Sequence, residues 1–135
     1  MSTATARYAG HLRTEATHVA SGTTVLFDAP VDNHGRGEAF SPTDLVSTAL
    51  GTCMMTIMGI VAERHALNLT GVSFDVTKRM AAEPRRIAEI EIEFRLPGSV
   101  PTEKRALLER AARTCPVALS LNPEIKQTVQ FTYEG

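Results

Sequence analysis

The chain has 135 residues, of which 43% are hydrophobic and 21% are charged, and its formal net charge at pH 7 is −1. This length and composition predict a single globular domain spanning residues 1–135. Near-neutral charge gives no general attraction to nucleic acid or to an anionic membrane, so we expect neither partner. Two cysteines are too few for a disulfide scaffold, and the N-terminus lacks the apolar segment of a signal peptide, which favours a cytoplasmic protein.

The first part of the chain predicts strands followed by a loop. Residues 5–29 contain runs of β-forming residues, and Ser21-Gly22 supplies a tight turn between two of them, which favours a hairpin or small meander. Residues 30–40 are rich in glycine and charge without a period, and their composition suits a mobile loop. One face of the predicted strands would carry the apolar side chains Tyr8, Leu12, Val25 and Phe27.

A long helix is predicted from Ser41 to about residue 66. Ser41 can cap the helix, Pro42 fits its first position, and Asp44 suits a capping-box role three residues after the cap. Residues 45–62 carry no charge, and apolar side chains occupy most of the helix circumference, which is typical of a buried central helix. A membrane span is disfavoured because serine, threonine and glycine residues lower the hydropathy of this run.

The second half of the chain predicts more strands and two shorter helices. Apolar and polar residues alternate along 87–96, which indicates an antiparallel sheet with one dry face and one wet face. Thr102 is the expected cap of an amphipathic helix. The predicted elements are strands 72–78 and 87–96, joined by a hairpin loop, helices 102–113 and 117–121, and a final strand 127–133. The fold class is therefore α+β, with antiparallel sheets around a long buried central helix.

The two cysteines are the first candidates for chemistry. Cys115 directly precedes Pro116 at the start of a short helix, where backbone N–H groups favour a thiolate and would lower the pKa of the thiol. Cys53 lies in the middle of the long helix, beyond the reach of the helix dipole, so its reactivity would require a cation from another segment. For each cysteine the alternative is an inert, buried side chain.

Other candidate site residues carry weaker signals. Arg36 lies in the glycine-rich loop and could contact an anion or remain solvated. Asp44 is either a helix cap or a site carboxylate. The four histidines are scattered without paired ligand spacing, so no metal site is expected, and no phosphate-binding loop or serine-hydrolase motif is present.

Three motifs together resemble the OsmC/Ohr family of hydroperoxide reductases. They are Ser41-Pro42-Thr43-Asp44-Leu45, Ala49-Leu50-Gly51-Thr52-Cys53 and Cys115-Pro116-Val117-Ala118. The order of predicted elements matches the family as well, so the resemblance covers essentially the whole chain. It implies an intertwined α+β homodimer, in which two long central helices pack between sheets and the sites lie at the dimer interface.

The resemblance also implies a reaction. Cys53 would be the peroxidatic cysteine that attacks a hydroperoxide, and Cys115 would be the resolving cysteine that forms a disulfide with it. An external dithiol, in one branch a lipoylated protein, would reduce that disulfide, and no cofactor is implied. Family peroxidases add an arginine, matched here by Arg13 with Arg36 second, and a glutamate, whose position falls on Thr43.

Two other functions remain open at this point. One is a non-catalytic dimer of the same fold that binds a small apolar ligand in the cleft at the dimer interface, with Met54, Met55 and Met58 as its wall. The other is a thiol redox protein without preference for peroxides. The absence of the family glutamate at Thr43 places the chain nearer the less characterised OsmC-like branch, whereas both cysteines favour redox chemistry. A cysteine pair close enough to form a disulfide would favour the peroxidase.

Overall fold

The computed structural model describes residues 1–135 and divides them into two compact units, 1–46 and 47–135. Helix α1 begins in the first unit and continues through the second. The elements are β1 Ala4–Gly10, β2 Arg13–His18, β3 Thr24–Asp28, α1 Pro42–Arg64, β4 Ser73–Ala81, β5 Arg86–Pro97, α2 Thr102–Arg113, α3 Pro116–Ser120 and β6 Lys126–Glu134. The predicted α+β class is confirmed.

The first unit contains an antiparallel three-stranded sheet in the order β1-β2-β3, which confirms the predicted meander. Gly22 takes a positive φ of 75° in the turn that sequence had placed there. Leu12 differs from prediction because it lies in the β1–β2 turn, also with positive φ, and not on a strand. Tyr8 is 65% exposed and Leu12 is 45% exposed, so the predicted apolar face is not buried within the single chain.

The segment between β3 and α1 is more ordered in its hydrogen bonding than its composition suggests. Residues Val31–Asn33 form a 3₁₀ turn, in which the Asn33 N–H donates to the Pro30 carbonyl. Further along, the Asp28 N–H donates to the carbonyl of Phe40. The predicted loop is therefore fastened to the end of β3 at several points.

Helix α1 begins with the predicted capping box. The Ser41 hydroxyl accepts the Asp44 N–H at 3.0 Å, and the Asp44 carboxylate accepts the Ser41 N–H at 3.0 Å. Beyond the cap, burial is concentrated on one face, which carries Leu50, Met54 and Met58 at 0% exposure. The opposite face remains exposed in the single chain at Thr52, Thr56 and Ile60.

By length and composition alone, α1 is long and apolar enough to cross a membrane. A core helix of a soluble protein passes the same test. The face with Leu50, Met54 and Met58 belongs to the apolar cluster of the second unit, together with side chains from β5 and α2.

The sheet of the second unit is mixed, which corrects the expectation of purely antiparallel pairing. Strands β4 and β5 pair antiparallel, whereas β5 and β6 pair parallel. Parallel pairing follows from the connection, since α2 and α3 intervene between β5 and β6 and return the chain to the end at which β5 began. The alternation predicted along β5 is confirmed by its buried residues, Ile90, Ile92, Phe94 and Leu96.

Aromatic and aliphatic side chains fill the core of the second unit. Phe94 lies 5.4 Å from both Phe74 and Phe131, measured between ring centroids. From α2, Leu108 and Ala112 are fully buried against this cluster. The predicted Thr102 cap is wrong, because Thr102 is the first helical residue and the capping position is Pro101, which offers no side-chain hydrogen bond.

Candidate functional site

Both cysteines belong to the second unit and come from different elements. Cys53 lies in the middle of α1 and is partly buried against the core cluster. Cys115 is fully buried at the N-cap position of α3, which begins at Pro116, one residue before the predicted start. The burial of Cys115 follows from its position between α2 and α3, where Ala112 and Ala118 are also buried.

The structure brings these two thiols together as free cysteines. Cys53 lies near enough to Cys115 to raise the pKa of the Cys115 thiol, and both cysteines are free. A disulfide requires the two sulfur atoms to approach to about 2 Å, so it can form only between neighbouring thiols. The proximity of Cys53 and Cys115 can support thiol–disulfide chemistry within one chain.

The environment of Cys115 overturns one prediction. Burial raises the pKa of the Cys115 thiol, and the neighbouring Cys53 raises it further. The Ala118 N–H, which donates to Cys115 Sγ at 3.4 Å, acts in the opposite direction but does not compensate. The predicted lowering of this pKa by the start of α3 is therefore wrong, because desolvation exceeds the effect of the helix N-terminus. Cys115 remains a protonated thiol at neutral pH.

The two candidate arginines lie in the first unit, where they meet at one carboxylate. Arg13 Nη2 donates to Glu38 Oε1, and Arg36 Nη1 lies 3.8 Å from the same oxygen. Arg13 Nη2 also lies 3.8 Å from the buried carboxylate of Asp28. Sequence reasoning missed both carboxylates. The pairing of β2 with β3 could have found Asp28, which lies directly opposite Arg13, whereas the glycine-rich loop gives no signal for Glu38.

Asp44, the remaining candidate, lies in the cap of α1. Its carboxylate accepts the N–H of Ser41, and the hydroxyl of the neighbouring Thr43 lies 3.2 Å from the Ser41 hydroxyl. These contacts give Asp44 a structural role at the start of the helix. They also place Thr43, which matches the family glutamate, within the same capping network.

Each unit contains an open cavity. That of the first unit has a volume of about 200 Å³, and Arg13, Glu38 and Phe27 are among its lining residues. That of the second unit has a volume of about 350 Å³ and is lined in part by Met55 and Leu69. Of the three methionines of α1, Met55 lines this cavity, whereas Met54 and Met58 are fully buried. No group of three or more His, Cys, Asp or Glu side chains is placed to hold a metal ion.

Comparison with known proteins identifies relatives that span the whole chain. The family model described as OsmC-like protein matches residues 35–130. A crystal structure from Psychrobacter arcticus, described provisionally as an osmotic stress induced and detoxification response protein, shares 44% sequence identity with this chain at a TM-score of 0.94. The match covers 98% of this chain and 96% of that one. No curated protein matches the sequence.

More distant solved structures share the fold. An organic hydroperoxide resistance protein OsmC from Legionella pneumophila is 18% identical with a TM-score of 0.76, and the match covers 98% of both chains. A Vibrio cholerae protein, described provisionally as an organic hydroperoxide resistance protein with captopril in one of its active sites, is 16% identical with a TM-score of 0.74. That match covers 97% of this chain and 92% of the other.

Proposed function

The chain belongs to the family of OsmC-like proteins, and we propose that it is a thiol-dependent peroxidase that reduces organic hydroperoxides through Cys53 and Cys115. The observation that carries the proposal is the proximity of these two free thiols in the second unit. Membership of the family and the fold shared with organic hydroperoxide resistance proteins support a stress-related, peroxidase-like role.

The first step assigns the nucleophile to Cys53. As a thiolate, its sulfur attacks the terminal oxygen of the hydroperoxide, and the O–O bond breaks. Cys53 becomes a sulfenic acid, and the leaving alkoxide takes a proton to give the alcohol. The raised pKa of Cys115 supports this order, because Cys115 is held as a protonated thiol and only the thiolate is strongly nucleophilic.

The second step assigns resolution to Cys115. Its sulfur attacks the sulfenic sulfur of Cys53, an S–S bond forms, and the S–O bond breaks. The departing hydroxide leaves as water with the proton of the Cys115 thiol. An external dithiol then reduces the disulfide and is itself oxidised to a disulfide, which restores both thiols. A lipoylated protein is one such dithiol.

Activation of Cys53 requires a cation, and Arg13 is the side chain we assign to it. The assignment comes from the resemblance, with Arg36 as the second choice. A guanidinium near a thiolate favours its charged form and lowers the pKa of the thiol. We also propose a homodimer, since the single chain leaves large apolar side chains exposed, with Leu26 56% exposed and Ile60 42% exposed.

A non-catalytic dimer that binds an apolar ligand is the second candidate. The 350 Å³ cavity favours it by its size and concave shape, and it is lined by Met55 and Leu69 together with the polar residues Glu63 and Asn68. This function would need neither cysteine. Replacement of Cys53 therefore separates the two candidates.

The test is consumption of cumene hydroperoxide and hydrogen peroxide, with dithiothreitol or dihydrolipoamide as reductant. We expect Cys53→Ser to lower turnover at least about a thousandfold, because it removes the nucleophile. Cys115→Ser should retain one rapid turnover but lose efficient recycling, and Arg13→Ala should slow the first step. Thr52→Ser, which alters the same helix without touching a thiol, is the control. Equal rates for the wild type and Cys53→Ser would end the peroxidase proposal.

A further inference from the structure

We propose that Glu38 and Asp28 are the positioning residues of Arg13, and that together they replace the glutamate that family peroxidases carry at the position of Thr43. This inference rests on the proposed function, since it concerns the cation assigned to the Cys53 thiolate. It adds two residues, both outside the helix that carries the family motif. Neither residue is expected to touch the substrate.

Glu38 makes the direct contact. Its Oε1 atom accepts a hydrogen bond from Arg13 Nη2, on an Arg13 side chain that is 41% exposed. An exposed ion pair contributes little to stability, with a typical value of about 0–1 kcal/mol. The ion pair matters here for its geometry. A carboxylate that binds one side of a planar guanidinium fixes the direction in which the remaining N–H donors point.

Asp28 holds the backbone of Glu38 in place. Its Oδ2 atom accepts the backbone N–H of Glu38 at 3.1 Å, and its side chain is only 1% exposed. That N–H holds the pKa of the Asp28 carboxyl below its ordinary value despite burial, and the charge of Arg13 lowers it further. Asp28 is therefore a buried anion that orders the loop and attracts the same guanidinium.

The buried carboxylate of Asp28 is only partly satisfied by hydrogen bonds. The Oδ1 atom is buried and has no hydrogen-bond partner. An unsatisfied buried carboxylate oxygen is costly and calls for a reason. Arg13 lies opposite Asp28 in the β2–β3 pairing, and its Nη2 atom is 3.8 Å from Oδ2, so it balances the charge of the carboxylate without satisfying Oδ1. The positive charge offsets part of the cost of burying the carboxylate.

The backbone around Glu38 is held from both sides. The Gly37 N–H donates to the Ala29 carbonyl at 3.3 Å, and the Asp28 N–H donates to the Phe40 carbonyl at 3.1 Å. Gly35 lies so close to Ala29 that a Cβ atom would collide with its carbonyl group. These contacts set the position from which the Glu38 side chain reaches Arg13.

Thr43, at the position of the family glutamate, takes part in the capping network of α1. Its hydroxyl lies 3.2 Å from that of Ser41 in the cap of α1. Two carboxylates lie beside Arg13, that of Asp28 from β3 and that of Glu38 from the loop. Arg36 lies 3.8 Å from Glu38, and Glu15 of β2 lines the same cavity as Arg13.

Two explanations of the role of Glu38 predict opposite changes in the reactivity of Cys53 when the Glu38 charge is removed. Removal of a negative charge would, by charge alone, lower the pKa of a nearby thiol. If Glu38 holds Arg13 in place for the thiolate, its removal raises the pKa instead. We would follow the pH dependence of Cys53 alkylation by iodoacetamide in a Cys115→Ser background. Arg13→Ala, Glu38→Gln and Asp28→Asn are then compared in that background.

We expect Glu38→Gln to move the alkylation midpoint upward by about half a pH unit or more, in the direction of the Arg13→Ala shift. In the two-cysteine protein, the same substitution should lower kcat/KM for cumene hydroperoxide by about tenfold. Asp28→Asn should act in the same direction. The control is Asp75→Asn, which removes the carboxylate of an exposed arginine pair on β4 and should change neither quantity.

Failure of the proposed function and failure of the positioning inference give different results. No shift with Arg13→Ala, together with no peroxide turnover in the wild type, would overturn the proposed function. A raised midpoint with Arg13→Ala but an unchanged or lowered midpoint with Glu38→Gln would overturn the positioning inference alone. Glu38→Gln is the deciding variant, because the Glu38 side chain is 54% exposed and its replacement should not disturb folding. The test therefore does not depend on whether the Asp28 variant folds.

Discussion

Every buried apolar side chain of the protein lies in residues 47–135, whereas the buried side chains of residues 1–46 are Asp28 and Ser41. The second unit contains both cysteines and packs Cys115 among apolar residues. The first unit contains Arg13 and orders it with carboxylates and backbone N–H groups. Burial can set the protonation of a thiol, but a guanidinium is oriented by charge and hydrogen bonds. The second unit therefore controls its thiols by apolar burial, whereas the first unit orients its arginine by ion pairs and hydrogen bonds.

The second unit should be most sensitive to changes of volume, and Gly51 offers a strong test. A Cβ atom at Gly51 would lie 2.5 Å from Cζ of Phe74, inside the packed core. Gly51→Ala should therefore destabilise the protein by about 1–3 kcal/mol, because the ring must move. The measurement is urea unfolding at fixed protein concentration.

Gly59→Ala is the matched control in the same helix, since nothing lies within 4 Å of the added atom. It should be neutral or stabilising by up to about 1 kcal/mol, because alanine favours helix. Similar destabilisation by both substitutions would argue that helix flexibility, and not close packing on Phe74, accounts for Gly51.

The first unit should be sensitive to the loss of polar contacts. Ser41→Ala removes the hydroxyl that accepts the Asp44 N–H and should cost about 1 kcal/mol of stability. Ser41→Thr retains an acceptor and should recover part of that loss. The same unfolding measurement applies, and an Ala variant as stable as the wild type would contradict the importance of the cap.

A smaller effect should appear in acid. The folded-state pKa of Asp28 lies below its ordinary value of 3.8, so its contribution to stability is complete above that pH and is lost as the pH falls through the folded-state pKa. Asp28→Asn should therefore reduce the acid dependence of the unfolding free energy below pH 3.8. Glu124→Gln, at an exposed loop position, serves as the control. An unchanged acid dependence in Asp28→Asn would show that the buried carboxylate is not a source of acid sensitivity.

Much of the fold was accessible from sequence because its signals are local. The capping box at Ser41 and Asp44 depends on residues three apart, and the alternation along β5 depends on a period of two. The direction of β6 was not accessible, because alternation is the same in parallel and antiparallel strands. The exposure of the first sheet was missed as well, since Tyr8 and Val25 look like core residues in sequence.

Part of the candidate site could likewise be predicted from the sequence, and part could not. Residue type and family resemblance made Cys53 and Cys115 the candidates, and the structure places them near each other. The direction of the Cys115 pKa shift was predicted wrongly, because sequence shows the helix start but not the degree of burial. Glu38 gave no signal, since a carboxylate in an aperiodic loop resembles any solvated charge until Arg13 is seen beside it.

The central claim is that Cys53 and Cys115 of one chain form a redox pair. The most direct measurement treats the reduced protein with one equivalent of cumene hydroperoxide, blocks free thiols by alkylation, and maps the peptides by mass spectrometry. We expect a disulfide between Cys53 and Cys115 within a single chain, which disappears when either cysteine is replaced by serine. Recovery of both cysteines as alkylated thiols, or of bridges only between chains, would contradict the claim.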